Sequence, residues 1–229
     1  VTLTPAGSRF SAHAVLMTRI WGQARQELAL PDSYTARINI GAQISHWDDL
    51  MVNWMIWLRV EYPDLAVRAE IGSNESLMRQ MADGLLDIAV IYTPQVVPGL
   101  AIEKLFDEDI ILVSTRRSPM DAAAWQNGYV FVDWGAEFRA EHALAWSGMP
   151  TPAVHFGVGT VALEFILRHG GAGYFPRRMV SQRLRERRLF KIPGAPSFRR
   201  AVYLMKSASS AQPQLEEVLE GLRRIAVAS

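Results

Sequence analysis

Three times in this chain a strand-like segment runs into a short, glycine-containing polar loop that opens a helix: Gly41-AQIS-His46, Gly72-Ser73-Asn74 and Gly157-VG-Thr160. A strand followed at once by a helix must cross over before it can pair again, so the repeated unit dictates an α/β fold with a largely parallel sheet. The first series reads as strand Arg37 to Gly41, a helix from about Trp47 to Tyr62 closed by Pro63, and strand Leu65 to Ile71. Helix Glu75 to Asp83, stopped by Gly84, and the apolar strand Asp87 to Tyr92 follow, then strands Ala101 to Phe106 and Asp109 to Ser114. A second series begins after Pro119: strand Tyr129 to Trp134, helix Phe138 to Ser147, strand Ala153 to Phe156 and helix Thr160 to Arg168. It continues with strand Tyr174-Phe175, a basic helix Arg177 to Arg188 and strands Leu189 to Ile192 and Ala201 to Lys206, before a last helix opened by Pro213.

Composition narrows the function classes. Twenty-four basic against 23 acidic residues leave a net charge of +1, so this stretch alone is not an electrostatic binder of nucleic acid. The absence of cysteine excludes disulfides, thiolate metal sites and a thiol nucleophile. The longest nearly apolar run, Leu50 to Leu58, is about half of what a bilayer-spanning helix needs. The opening VTLTPAG lacks the charged and apolar regions of a secretion signal, which predicts a cytoplasmic protein, and it reads as a fragment whose true N-terminus is missing.

Catalytic signatures fail in turn: there is no G-x-S-x-G, S-x-x-K, H-E-x-x-H or P-loop. His13, His46, His142, His155 and His169 show no helical pairing that would hold a metal, and Asp48-Asp49 sits where carboxylates favour a helix dipole. Gly157-Val158-Gly159 begins like a dinucleotide fingerprint, but Ala162 stands in place of the third glycine and no acidic residue follows at the usual distance. The arginines of 177–188 spread around their helix without interleaved aromatics and read as a solvated face. The expectation is a binding module with no cofactor and no metal. The recurring loops support it, because helix N-termini gathered at the carboxyl ends of strands make a cleft that suits an anion; each loop taken singly reads first as an ordinary helix cap, and the three together favour the cleft.

Two helices carry apolar surface beyond what one small domain covers. From Thr4 and Pro5 to about Leu30 runs a helix whose Phe10, Ala14, Met17, Trp21, Ala24 and Leu28 form a seam with heptad spacing. Between Trp47 and Tyr62 the apolar residues leave only Asn53 and Arg59 as polar breaks from Leu50 to Val60, so one side should meet the sheet and the other a second subunit.

The opening VTLTPAG-SRF-SAHA, the EYP at Glu61 to Pro63, GLLDIAVI (Gly84 to Ile91) and GGAGYFPRRMV (Gly170 to Val180) together resemble a LysR-type transcriptional regulator over essentially the whole chain. The resemblance implies a linker helix followed by two Rossmann-like subdomains joined by two crossing strands, the type 2 periplasmic-binding-protein fold. The divisions implied are 1–35 for wing remnant and linker helix, 36–115 with 207–229 for subdomain I, and 116–206 for subdomain II. It further implies a small-molecule effector in the cleft, contacted by Gln43, Ser45, His46, Ser73, Asn74, Gly159 and Thr160. Trp134 and Phe138 join that set from their place after a strand, although DWG departs from the commoner family pattern. A homodimer through the Trp47–Tyr62 helix, a tetramer in the intact protein and DNA contact through an absent winged helix-turn-helix complete the expectation. The alternative is a solute-binding protein of the same fold.

Overall fold

The computed structural model describes residues 3–7, positions 10, 11, 13, 14, 17, 21 and 24, and residues 34–117, 125–208 and 214–228. Every described residue from Pro5 to Ala24 is helical, and Phe10, Met17 and Trp21 of the seam are exposed. Leu28, the expected helix end near Leu30 and Pro213 lie outside the described residues.

The chain divides into two compact units, Val1–Phe106 with Val202–Ser229, and Asp107–Ala201. In the first unit, β1 (Ala36–Ala42) lies between β2 (Leu65–Ile71) and β3 (Ile88–Ile91), parallel to both. Strand β4 (Leu100–Ser114) is continuous where two strands are expected from the sequence, because Asp107 to Asp109 interrupt the apolar pattern but not the extended backbone. The last strand of the chain, β9 (Phe198–Ser207), runs antiparallel to β3, pairing Ile88 with Lys206 and Ile91 with Tyr203. Both joins between the units fall inside strands β4 and β9, upstream of the ends at 115 and 206 that the sequence suggests.

Helix α1 (Ile44–His46) passes through a π-helical stretch, Trp47–Met51, into α2 (Val52–Glu61), so the helix begins earlier than its apolar pattern indicates. Strand side chains alternate between faces. Ile38, Ile40, Ile88 and Val90 cluster with Leu50, Trp54 and Leu58 and with Val218, Leu219 and Leu222 of the C-terminal helix (Leu215–Ala228). Ala89 and Ile91 cluster instead with Leu77 and Met81 of α3 (Asn74–Ala82). The Trp54 indole N–H donates to the Val218 carbonyl at 3.1 Å, which satisfies the one polar atom of a fully buried side chain.

The second unit places β5 (Val130–Val132) parallel to β6 (Val154–Phe156), and β4 antiparallel to β7 (Ala172–Pro176) and β8 (Phe190–Lys191). Among these strand pairs, parallel pairing is therefore confined to β5 and β6 and the others are antiparallel, where a largely parallel sheet is expected from the sequence. Helices α4 (Ala136–Ala145), α5 (Gly159–His169) and α6 (Arg177–Arg185) complete it, and the C-terminal helix becomes α7. Helix α6 ends short of the expected Arg188, where Arg187 adopts a left-handed φ of 57°. Ile111, Val113, Val132, Ile166 and Phe175 form one core, and Ile110, Leu112, Phe138, Tyr174 and Phe198 form another.

Candidate functional site

Each unit carries its own group of loops at the carboxyl ends of parallel strands. In the first unit most of the expected contact side chains are spent on holding those loops together. Gln43 follows β1; its backbone N–H donates to Val90 at 3.2 Å and its side-chain Oε1 accepts from the Tyr92 N–H at 2.8 Å, which fastens the end of β1 to the end of β3. The Asn74 amide N–H donates to the Thr93 carbonyl at 3.0 Å and ties the start of α3 to the same segment, while its Oδ1 is buried with no donor bonded to it. Ser73 is the N-cap of α3, accepting from the Ser76 N–H at 3.2 Å. Glu75 lies below the usual carboxylate range because its own backbone N–H, and then the Ser73 hydroxyl, hydrogen-bonds to it. His46 is buried, with its ring tilted against Tyr92 at 4.5 Å between centroids.

Ser45 differs. It is half-buried in the short helix α1 that follows Gln43, and its hydroxyl makes no hydrogen bond to a described residue. Ile44 beside it is exposed. Gln43 and Asn74 thus form the frame, and Ser45 remains the hydroxyl of this loop group that a ligand could use.

In the second unit, α4 follows β5 through Asp133-Trp134-Gly135. Asp133 shapes the turn: Oδ1 accepts from the Gly135 N–H at 2.9 Å and Oδ2 pairs with Arg139 at 2.6 Å. Gly135 has φ 102°, a conformation that L side chains rarely adopt, and no side chain caps the helix after it. Trp134 donates its indole N–H to the Tyr174 carbonyl at 2.8 Å, and its ring covers Gly159 so closely that a Cβ there would sit 2.1 Å from the indole. Phe138 is fully buried against Tyr174 and Phe198. These two aromatics build the unit's core, and Phe138 offers no surface to a ligand; the period of α4 turns it inward while Glu137 and Arg139 face out. Gly159 is buried at the first position of α5, and Thr160 beside it is half-buried with a hydroxyl that makes no hydrogen bond to a described residue. Val158 and Val161 flank it, exposed.

One residue near this loop escapes the sequence reading. Arg200, on β9, is 4% exposed and sits against the first turns of α4, with Nη1 3.1 Å from Glu137 Oε2 and 3.6 Å from Glu141 Oε2. The signal was present as alternation: Phe198, Arg200, Val202 and Leu204 share the inward face of the strand. A hollow of about 300 Å³ lies elsewhere in this unit, at the opposite ends of β5 and β6, lined by Asn127, Tyr129, Met149, Pro152, Phe165 and His169. Among the described residues no group of histidine, aspartate or glutamate is arranged to hold a metal, and no helix is long and apolar enough to cross a membrane.

Comparison with known proteins agrees with this architecture. Residues 31–226 match the family model described as LysR substrate binding domain. The chain is 24% identical over 185 residues to the HTH-type transcriptional regulator HdfR of Yersinia enterocolitica, covering 77% of this chain and 63% of that protein. It thus spans less than two thirds of the length of this curated relative. Among solved structures, ArgP from Mycobacterium tuberculosis superposes with a TM-score of 0.69 at 18% identity, over 97% of this chain and 78% of that one. The regulatory domain of CrgA, a LysR-type transcriptional regulator from Neisseria meningitidis, gives 0.68 at 11% identity, over 82% and 97%. At such identities the structural likeness carries the fold, two α/β units joined by two strands, and the family match carries the membership: this chain belongs to the LysR substrate-binding-domain family.

Proposed function

We propose that this chain is the effector-sensing part of a transcription regulator, taking a small anionic ligand at the loops that follow its parallel strands and so controlling DNA binding by a winged helix-turn-helix in the longer protein. The observation that carries the reading is the division of labour within the loops. Gln43, Ser73 and Asn74 are committed to backbone partners, while Ser45 and Thr160 keep unspent hydroxyls at the carboxyl ends of parallel strands. The loops present hydroxyls and helix N-termini in place of a deep apolar cavity, which favours a compact polar anion. Exposed Ile44, Val158 and Val161 beside those hydroxyls suit a ligand that also carries some apolar surface.

Assembly belongs to the same reading. Val52, Ile56 and Val60 form a bare apolar stripe on α2, on the side away from Trp54 and Leu58, and this stripe pairs with a second copy. The exposed Phe10, Met17 and Trp21 seam pairs in turn, giving a tetramer of a cytoplasmic regulator. The test of the ligand reading is calorimetry: Ser45→Ala combined with Thr160→Ala should weaken binding of the effector about tenfold or more while thermal unfolding stays put. Unchanged affinity overturns the loop assignment.

A further inference from the structure

Arg200 carries an unmatched hydrogen-bonding edge in a place where water does not reach. Its Nη1 meets Glu137 and Glu141, and the Arg199 carbonyl at 3.4 Å, but Nε and Nη2 are buried and have no hydrogen-bond partner. A guanidinium cannot shed its charge to relieve this, and buried donors left unpaired are costly enough that folded proteins rarely keep them. Nε and Nη2 also form one edge of the planar group, where two parallel N–H bonds match the spacing of two oxygens on a carboxylate.

We propose that Arg200 is the anchor for the acidic group of the effector, its Nε–Nη2 edge taking a carboxylate in bidentate fashion at the first turn of α4. The inference rests on the effector-site reading above and adds to it the one fixed positive charge that the hydroxyl loops lack. The surroundings suit the role. Helix α4 starts at Gly135 with no side-chain cap hydrogen bond, and the carboxylate in its first turn, Glu137, is paired with Arg200 Nη1. Asp133 is neutralised by Arg139 at 2.6 Å and Asp109 is paired with Arg199 at 3.4 Å. Glu137 and Glu141 both contact Nη1, and their side chains are 66% and 43% exposed. Both therefore engage the Nη1 corner and make no bond to the Nε–Nη2 edge. Water screens their repulsion of an incoming anion without abolishing it. Removing one of them should therefore strengthen anion binding, an effect that a purely structural ion-pair role does not produce.

The experiment uses the 229-residue chain and three simple anions, acetate, succinate and sulfate. The arginine Nε–H resonances are followed by NMR, with the Arg200 signal assigned by its loss in Arg200→Lys, which retains charge but not the fork. Acetate or succinate should move the Arg200 signal saturably, Arg200→Lys should weaken that anion about tenfold or more, and Glu141→Gln should tighten it severalfold. If Arg200→Lys does not fold, the Arg200 signal is assigned by its displacement in Glu141→Gln, whose side chain contacts Nη1, and the wild-type and Glu141→Gln titrations decide. A signal that ignores all three anions, or Glu141→Gln binding no tighter than wild type, overturns the anchor; a response to sulfate alone overturns the carboxylate assignment. The two readings fail separately. A responsive Arg200 with affinity indifferent to Ser45→Ala and Thr160→Ala removes the loops from the site, whereas a silent Arg200 with affinity lost in those variants removes the anchor.

Discussion

Single residues decide what this chain's loops can do, and Gly159 is the tightest case. It leaves no room for a methyl group under the Trp134 indole, since a Cβ there would sit 2.1 Å from the nearest ring carbon. Gly159→Ala must push the indole away and break its 2.8 Å bond to Tyr174, so we expect a loss of about 1–3 kcal/mol in denaturant unfolding and a red shift of tryptophan emission. A variant with wild-type stability contradicts that packing. His142 sets a pH dependence. Burial holds its imidazole below the ordinary value of 6.5, and its Nε2 lies 2.7 Å from the Tyr129 hydroxyl, whose own ionisation burial pushes up. The unfolded chain takes up a proton near pH 6.5 that the folded unit refuses until lower pH. This contribution to stability is therefore complete above that value and is lost progressively below it. Denaturant midpoints between pH 7 and pH 5 should fall for the wild type and fall less for His142→Phe; equal slopes contradict the assignment.

At the scale of elements, α2 separates what is legible in a sequence from what is not. Its apolar residues on every side announced a helix covered twice, and the structure divides them: Trp54 and Leu58 are fully buried, while Val52, Ile56 and Val60 are bare. Which of Trp54 and Trp57 turns inward was hidden, because the π-helical Trp47–Met51 shifts the phase of the helix relative to an ideal period. Trp54→Ala should cost about 3–5 kcal/mol of stability by opening the core. Ile56→Glu should leave the fold intact and abolish self-association in sedimentation at micromolar concentration, since burying a few such side chains is worth several kcal/mol at about 25 cal/mol per Å². A chain that sediments as a monomer before the substitution contradicts the interface. The same logic extends to Met17→Glu with Trp21→Glu in the longer protein, where a lower association state is expected and an unaltered profile contradicts seam pairing.

At the scale of the whole molecule, the strand-loop-helix repeats were enough to specify two α/β series, because crossover connections leave few topologies open. They could not specify how the loop residues are employed. Ser73 and Asn74 look like ligand donors in sequence and act as a cap and a tether; Phe138 follows a strand yet faces the core; Arg200 sits among arginines in FRRAV and only its place on the inward face sets it apart. A side chain's commitments depend on backbone groups brought from distant segments, as with Gln43 and Tyr92, and local pattern carries no record of them. The central claim is that an acidic ligand binds at the carboxyl ends of the parallel strands. Mapping backbone amide shifts while the chain is titrated with the acidic fraction of a cell extract tests it most directly. Saturable shifts concentrated at residues 43–46, 73–74 and 158–160 are expected; shifts concentrated at 126–130 and 149–154, around the hollow at the other ends of β5 and β6, would contradict that binding site.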